Sequence, residues 1–290
     1  MVTTPASATR RRTEINPREK SARSKHRVTV GESAQDVVFS SSKRVVMASV
    51  SVIVPVLNEA GLIAGFLGQI RRLGPDMEII VVDGGSSDET ISIAKRLADQ
   101  LIEAPRGRAS QMNAGAAAAT AEVFWFLHAD LTPPPNSIDQ IRTALSAPDV
   151  VGGCFRLRYP RREWIYRISD SLGNIGVDLF GFALGDHGIF CSRSAFVQAG
   201  GYPLVPILED AELYCRLGRL GRMIQLPGSI VSNPRTFENW GRYQTTAVYF
   251  LILALYVTGV SINSLNQIYC RFHRPRSPIS SSPEPAPVAR

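Results

Sequence analysis

ASVSVIVPVLNEA (residues 48–60) and MEIIVVDGGSSDET (residues 77–90) follow one plan, in which a β-branched run leads into polar residues that open a helix. Both runs are continuously apolar rather than alternating, which is typical of strands buried on both faces of a parallel sheet. Apolar residues at helical spacing follow the first run as far as Gly74, and Asn58 is the candidate N-cap of that helix. The two stretches therefore predict two βα units in one sheet.

The same alternation continues to the end of a predicted helix at 133–145. A strand at 101–104 precedes a Gly-bearing loop and Ala-rich helix at 105–119, and a strand follows at 121–130. Short connections between alternating strands and helices imply an α/β fold whose mostly parallel sheet has helices on both faces. In such sheets ligands bind at the carboxyl ends of the strands.

The second half of the folded region is less regular. Helices are predicted at 163–182 and 208–221. The predicted strands are 150–159, 186–193, MIQLP (223–227) and SIVSNPRTF (229–237).

Composition narrows the class of protein. The chain has 290 residues, 44% of them hydrophobic, which excludes collagen-like, disulfide-scaffold and wholly disordered proteins. The net charge of +7 lies in the tails, because residues 1–47 carry +6 and residues 271–290 carry +3, which leaves −2 for residues 48–270. A nucleic-acid-binding core would place a basic face within the fold, so this class is disfavoured. The four cysteines are scattered and are expected to be reduced thiols.

Four segments are expected along the chain. Residues 1–46 lack an apolar signal segment and are predicted to be a disordered basic extension, or alternatively a transit peptide. Residues 47–242 form the α/β domain, and residues 271–290 a disordered Pro/Ser-rich tail. Residues 243–270 carry no charge, but their most apolar part has 14 residues where a membrane span needs about 20. We expect this segment to be a helix that packs in the core or lies in a membrane interface.

Asp130 is the candidate metal ligand. It follows the apolar residues VFWFL at the end of a predicted strand, where an unpaired carboxylate would be costly. Mg²⁺ commonly takes one or two protein carboxylates together with substrate phosphates. The alternative is a structural hydrogen bond to the turn at 132–136.

Other polar residues stand where ligands would bind. Arg106 and Arg108 flank a helix start that could bind an anion, or they are surface arginines. The successive acids Glu209 and Asp210 open a helix, and capping accounts for only one of them. The other is a candidate general base.

Six motifs recur in a fixed order: SVIVPVLNEA (51–60), EIIVVDGGSSDET (78–90), RGRASQMNAGA (106–116), FWFLHAD (124–130), GDHGIF (185–190) and LEDAEL (208–213). As a set they resemble the family 2 glycosyltransferases over about residues 49–260. The resemblance is strongest to the bacterial subgroup associated with radical-SAM and selenodomain proteins, and more distant to carotenoid-acid glycosyltransferases. It implies the GT-A fold, a nucleoside-diphosphate-sugar donor, Mg²⁺ or Mn²⁺, and inversion at the anomeric carbon.

The resemblance also implies residue roles. Pro55, Asn58, Glu59 and Asp83 would surround the nucleoside, and Arg108 would lie near the diphosphate. Asp130 matches the last acid of the family's DxD motif and would hold the metal. Asp210 matches the second acid of the ED motif and would be the base, with Glu209 beside it.

The sequence departs from the family pattern at three places. His128 stands at the first DxD position, where it would contact the ribose in place of an acid. Gly84 replaces the second of the usual paired acids. The QxxRW motif of processive members is absent, with Arg235 the nearest counterpart, so transfer of a single sugar is expected.

We therefore predict a metal-dependent inverting glycosyltransferase that acts on an acceptor hydroxyl or carboxylate, with a lipid or carotenoid-like acceptor suggested by the uncharged segment 243–270. The expected location is the cytoplasm, at the inner face of the plasma membrane. One alternative is a sugar-phosphate nucleotidyltransferase, but such an enzyme would need a Gly-rich loop and a Lys near the first strand, and PVLNEAG (55–61) supplies neither. The other alternative is a membrane-surface binding protein with a degenerate site.

Overall fold

One mixed sheet runs through residues 48–272, the part of the chain that the computed structural model describes. Its strands are β1 (Val50–Val56), β2 (Met77–Asp83), β3 (Gln100–Glu103), β4 (Val123–Phe126), β5 (Leu131–Thr132), β6 (Val150–Arg158), β7 (Phe190–Ser192) and β8 (Arg222–Ser232). They lie in the order β3-β2-β1-β4-β7-β6-β8-β5. The predicted parallel units form the first four strands of this order, and β6 pairs with β8 in parallel. Strand β7 is antiparallel to both neighbours, and β5 is antiparallel to β8.

Helices cover both faces of the sheet, which confirms the predicted α/β class. They are α1 (Ala60–Arg71), α2 (Thr90–Leu97), α3 (Arg108–Ala118), α4 (Ser137–Leu145), α5 (Trp164–Phe180), α6 (Arg193–Gln198), α7 (Glu209–Gly218), α8 (Arg235–Trp240), α9 (Arg242–Val257) and α10 (Ile262–Phe272). Val52 and Val54 of β1 face the core under α1 and α4, while Ile53 faces the core under α3, α6 and α7. The continuous β-branched run is thus buried on both sides.

Helix α3 lies unusually close to the sheet. A Cβ at Gly115 would stand 2.5 Å from Cγ2 of Ile53 and 2.9 Å from Cγ2 of Val82, so only glycine fits there. This close packing explains the small residues of the helix. It also fixes the position of Arg108, the first residue of α3, beside the end of β1.

Several predicted boundaries are wrong. Asn58 is not an N-cap: it has a positive φ of 55°, and its side-chain oxygen accepts a hydrogen bond from the amide of Ser87 at 2.8 Å. Instead, the carboxylate of Asp88 accepts from the amide of Ala60 at the start of α1 and from Thr90 at the start of α2. One acid therefore bridges two helix starts.

Strand lengths also differ from the predictions. The strand predicted at 121–130 ends at Phe126, and the one predicted at 186–193 shortens to Phe190–Ser192 after a 3₁₀ helix at Gly185–His187. The two strands predicted over 223–237 are one bulged strand, β8, followed by α8. Apolar patterning alone does not distinguish these cases in short segments.

The uncharged segment 243–270 forms most of α9 and α10, which are separated at Gly259, where φ is 84°. One side of α9 is buried through Val248 and Ile252, while Phe250 is 54% exposed. Within residues 48–272 no helix combines the length and apolar character needed to cross a bilayer. The extension predicted at 1–46 and nearly all of the tail predicted at 271–290 lie outside the described residues.

Candidate active site

A cavity of about 860 Å³ lies at the carboxyl ends of β1 and β4. Six of the nine predicted site residues line it: Pro55, Glu59, Arg108, His128, Asp130 and Glu209. The other three, Asn58, Asp83 and Asp210, are not among its lining residues. The second half of the chain supplies lining residues that the sequence analysis did not place in the site: Tyr159, Asp186, Arg235, Tyr249 and Tyr269.

Two carboxylates that line the cavity, Asp130 and Asp186, interact electrostatically. Burial, with a further contribution from the charge of Asp186, raises the pKa of Asp130 to about 6. Asp186 is held in place by Ser232, whose hydroxyl donates to it at 3.1 Å, and by Tyr159, whose hydroxyl donates at 3.4 Å. Asp186 belongs to the GDHGIF motif (185–190), which is the sequence signal that points to it.

Arg235 connects the two halves of the chain across the cavity. Its guanidinium donates to both carboxylate oxygens of Glu59, at 2.8 Å and 3.1 Å, and lies 3.9 Å from Asp130. This bidentate pair is the geometry that arginine forms best with a carboxylate. Arg235, the nearest counterpart of the QxxRW motif, therefore places a positive charge beside Asp130.

On another wall, Arg108 forms an ion pair with Glu209, with 3.1 Å between Nε of the arginine and Oε1 of the glutamate. The pair joins the first residue of α3 to the first residue of α7. The preceding Gly107 has a φ of 141°, which turns the chain into α3. Two helix N-termini thus meet at the cavity, where their free amides favour an anion.

Asp210 lies behind this pair, buried with 5% exposure. Burial and the adjacent charge of Glu209 raise its pKa. Gly185 must lack a side chain here, because its Cβ would stand 2.6 Å from Asp210 Oδ2 and 2.3 Å from His128 Nε2. Asp210 and His128 therefore approach the same point below the cavity.

His128 is a neutral group in this setting. Burial and the charge of Arg108 lower its pKa. Its Nε2 atom is buried and makes no hydrogen bond to the residues that the structure describes. A neutral imidazole with a free ring nitrogen can accept a hydrogen bond from a hydroxyl.

The carboxylate of Asp83 is fully engaged by its own turn. It accepts from the amides of Gly85 and Ser86 at 2.7 Å and 2.8 Å, and from the Ser86 hydroxyl. That hydroxyl in turn accepts from the amide of Asn58 at 2.9 Å. In this structure Asp83 and Asn58 shape the two loops under the cavity rather than line it.

Gln111 of α3 is a lining residue that the sequence analysis missed. Its side-chain amide donates to the carbonyls of Val56 and Val82, the strand ends of β1 and β2, at 2.9 Å and 2.8 Å. A Cβ at Gly84 would stand 3.0 Å from the Gln111 side chain. Gly84 stands where the family usually has the second of two paired acids. The side chain of Gln111 occupies the space that a side chain at position 84 would need.

Solved structures share this architecture. The mannosyltransferase of Pyrobaculum calidifontis, in complex with GDP-Man and Mn²⁺, matches with a TM-score of 0.55 and 23% identity, over 78% of this chain and 70% of that one. The glucosyl-3-phosphoglycerate synthase of Mycobacterium tuberculosis, in complex with Mn²⁺, UDP and glucosyl-3-phosphoglycerate, matches with a TM-score of 0.51 and 19% identity, over 74% of this chain and 81% of that one. At these identities the likeness establishes the fold, which is GT-A.

Curated relatives match parts of the chain. An uncharacterised glycosyltransferase of Nostoc sp. is 32% identical over 111 residues, which are 36% of this chain and 34% of that protein. An undecaprenyl-phosphate 4-deoxy-4-formamido-L-arabinose transferase of Enterobacter sp. is 32% identical over 181 residues, which are 57% of this chain and 51% of that protein. The chain therefore spans about half, or less, of the length of these relatives.

The family itself is established by a match to a family model. The model described as glycosyl transferase family 2 covers residues 51–196, half of the chain. This region runs from β1 through α6 and includes the cavity residues Asp130 and Asp186. Together with the GT-A fold, the match means that the chain belongs to glycosyl transferase family 2.

Proposed function

We propose that the protein is an inverting glycosyltransferase that moves one sugar from a nucleoside-diphosphate sugar to an acceptor hydroxyl or carboxylate. The observation that carries the proposal is the cavity, which is lined by the carboxylates of Asp130 and Asp186, by Arg108 and Arg235, and by the N-termini of α3 and α7. Such a site suits a diphosphate and its counter-cation together. The motifs GDHGIF and LEDAEL support the radical-SAM/selenodomain-associated subgroup within the family.

The donor set suits Mg²⁺ or Mn²⁺. Asp130 and Asp186 both line the cavity, and the charge of Asp186 contributes to the raised pKa of Asp130, so these two would be the protein ligands. Within residues 48–272 no three acids, histidines or cysteines cluster as a complete metal site. Two carboxylates, completed by substrate phosphates and water, is the usual arrangement for Mg²⁺. A bound cation would neutralise charge that develops on the departing diphosphate.

The nucleotide would lie along β1 and α3. Pro55 and Glu59 line the cavity directly, and Asn58 and Asp83 hold the loops beneath them. Arg108 stands at the N-terminus of α3, where an anionic diphosphate would meet both its guanidinium and free amides. His128 would contact the ribose through its free ring nitrogen.

Asp210 would act as the general base. Its raised pKa makes it a stronger proton acceptor than an ordinary aspartate, which suits a base that works near neutral pH. The acceptor O–H proton passes to the Asp210 carboxylate, and the oxygen forms a bond to the anomeric carbon. The bond from that carbon to the diphosphate breaks on the opposite face, and the diphosphate leaves with the electron pair.

Asp210 is buried and is not among the lining residues of the cavity, so side chains of the cavity wall would have to move before it reaches an acceptor. A lipid-like acceptor would lie against Tyr249 and Tyr269, which the uncharged segment contributes to the cavity wall. The name of the Enterobacter relative supports a lipid-phosphate acceptor.

The test compares Asp210→Asn with Glu209→Gln. Asp210→Asn should bind donor normally and lose about 10²- to 10⁴-fold in turnover, since it removes a general base. Glu209→Gln should keep more activity, because it removes only the partner of Arg108. Turnover is measured with UDP-, GDP- and dTDP-sugars and Mn²⁺, and donor binding by the thermal shift that each produces.

Near wild-type turnover in Asp210→Asn would refute the base assignment. If none of the donors stabilises the wild-type protein with Mn²⁺ present, the donor proposal itself is wrong.

A further inference from the structure

Helix α5 presents an apolar stripe to solvent. Trp164, Ile168, Ile175 and Leu179 recur at helical spacing and are exposed, Trp164 to 60% and Leu179 to 72%. The opposite side of the helix is buried through Ile165, Tyr166 and Val177 and needs no further partner. Scattered exposed apolar residues are ordinary, but a continuous stripe of large side chains marks an interaction surface.

Helix α9 carries a second exposed stripe. Tyr243, Phe250, Leu251 and Val257 follow one another along it. The two stripes join at one end, where the rings of Trp164 and Tyr243 lie 5.9 Å apart. We call these eight residues the α5–α9 face.

Arginines surround the aromatic end of the α5–α9 face. Arg161, Arg162, Arg167 and Arg242 all lie within three positions of Trp164 or Tyr243 in the chain. Arg242 also stands over the Tyr243 ring at 5.6 Å. Two acids, Glu163 and Glu238, pair with two of these arginines and leave a net positive charge.

The charge of the whole domain is divided in the same way. Residues 156–182 and 235–270, which include α5, α9 and α10, carry seven arginines against four acids. The rest of residues 48–270 carries eleven basic residues against sixteen acids. The apolar face is therefore on the positive part of a domain that is otherwise negative.

We propose that the α5–α9 face binds the surface of an anionic lipid bilayer. Trp and Tyr rings favour the headgroup region, a large apolar face favours the acyl boundary, and arginines attract anionic headgroups. Neither helix has to span the membrane, in accord with the absence of a spanning helix among residues 48–272. Because Tyr249 of α9 lines the cavity, the bound membrane would lie beside the site.

A second copy of the chain fits this face less well. In a two-fold symmetric contact each patch meets its own copy, so the arginine-rich end would face like charge wherever the aromatic ends meet. A bilayer that contains acidic lipids offers the opposite charge across the whole face. Membrane binding is independent of the proposed chemistry, since it requires no substrate.

The test is co-sedimentation of the full chain with vesicles of phosphatidylcholine, with and without phosphatidylglycerol. The triple variant Trp164→Ser, Leu179→Ser, Phe250→Ser should bind the acidic vesicles about tenfold or more weakly, because it removes three large apolar side chains. The matched control, Leu97→Ser, Val197→Ser, Leu220→Ser, changes three exposed apolar residues elsewhere and should bind as the wild type does. The basic tails are the same in all three proteins, so they cannot cause a difference.

A second measurement locates the contact. Trp164 is the one markedly exposed tryptophan in a chain with three, since Trp125 is buried and Trp240 is partly buried. Lipids brominated in the acyl chain should quench its fluorescence on binding, and Trp164→Phe should keep the binding and lose the quenching.

Equal binding by the triple variant and the wild type would overturn the proposal, since the tails alone would then explain the attraction. So would binding without quenching. A wild-type dimer in lipid-free solution that the triple variant converts to monomer would assign the face to a second copy instead.

Discussion

The two halves of the described chain treat their polar groups in opposite ways. In residues 50–132, the acids and amides at the strand ends bond to the neighbouring turns, as Asp83 does with Ser86 and Asn58 with Ser87. In residues 150–272, Asp210 and Asp170 are held with raised pKa values, because burial outweighs the hydrogen bonds they receive. Apart from Asp130 in the cavity, whose pKa is also raised by burial, the first half is a frame that satisfies its own polar groups, whereas the second half keeps several acids in unfavourable settings.

The difference indicates a division of labour. A frame whose loops are fixed by their own hydrogen bonds can hold a donor of constant chemistry. Buried acids and exposed apolar helices cost stability, and structures retain such features mainly where a substrate or surface is to be bound. We therefore expect substitutions in the first half to change stability most, and substitutions in the second half to change activity or surface binding.

The largest effect is predicted for Asp83→Ala. The carboxylate satisfies two backbone amides and a hydroxyl, so its loss should lower the free energy of unfolding by about 3 kcal/mol. Asp83→Asn keeps one acceptor oxygen and should lose about half as much. Urea unfolding measures the free energy of unfolding of both variants. An Asp83→Ala variant as stable as the wild type would mean that these hydrogen bonds do not hold the loops of the first half.

The next largest effect is predicted in the second half, for Gly185→Ala. The added methyl group would overlap His128 Nε2 and Asp210 Oδ2, and displacing a reacting group by about 1 Å costs roughly 100-fold in rate. Turnover should fall by that factor, while a melting curve reports any loss of fold. Gly65→Ala, in α1 with nothing within 4 Å of its Cβ, is the control and should be neutral or stabilising.

Rescue makes this prediction sharper. His128→Ala removes the imidazole that the new methyl group meets first, so the double variant should lose less activity than the product of the two single losses. If the double variant is as inactive as the product of the two single losses, crowding at this point is not the cause.

The sequence predicted the frame better than the site, for a physical reason. The buried parallel strands carry β-branched runs such as residues 50–56, whose pattern is local. Strand β7 has only three residues and takes its direction from its partners β4 and β6, which no local pattern specifies. The bulge that merges the last two predicted strands into β8 is likewise a product of pairing.

Within the site, residues in motifs could be found and residues brought in by tertiary contact could not. Asp130 and Arg108 lie in the segments that follow β4 and β3, so topology alone places them at the cavity. The pairing of Arg235 with Glu59 joins residues 176 positions apart, and Tyr249 lies in a segment whose only sequence feature is its lack of charge.

A smaller effect is predicted where the two halves meet. Glu59 and Arg235 form a bidentate pair whose arginine is nearly half exposed, so the coupling between them should be about 1 kcal/mol or less. A double-mutant cycle of Glu59→Gln and Arg235→Gln, read by urea unfolding, measures it. A coupling of zero would mean that the ion pair between Glu59 and Arg235 adds nothing to the stability of the contact between the two halves.

The smallest effect concerns Asp170 of α5, whose carboxylate accepts from the amide of Tyr159 at 2.8 Å. Burial raises its pKa to about 6, above the ordinary value of 3.8, so the folded state favours the protonated acid. Above pH 6 the ionised carboxylate therefore destabilises the fold, and this penalty fades as the pH falls from 6 towards 4. Asp170→Asn cannot ionise and still offers an acceptor oxygen to Tyr159. Its Tm should exceed that of the wild type by about 1–3 °C at pH 8, and the difference should vanish near pH 4. If the Tm difference is the same at both pH values, shape rather than charge distinguishes the two side chains. Asp170 would then differ from Asp210, because its ionised form would not destabilise the fold.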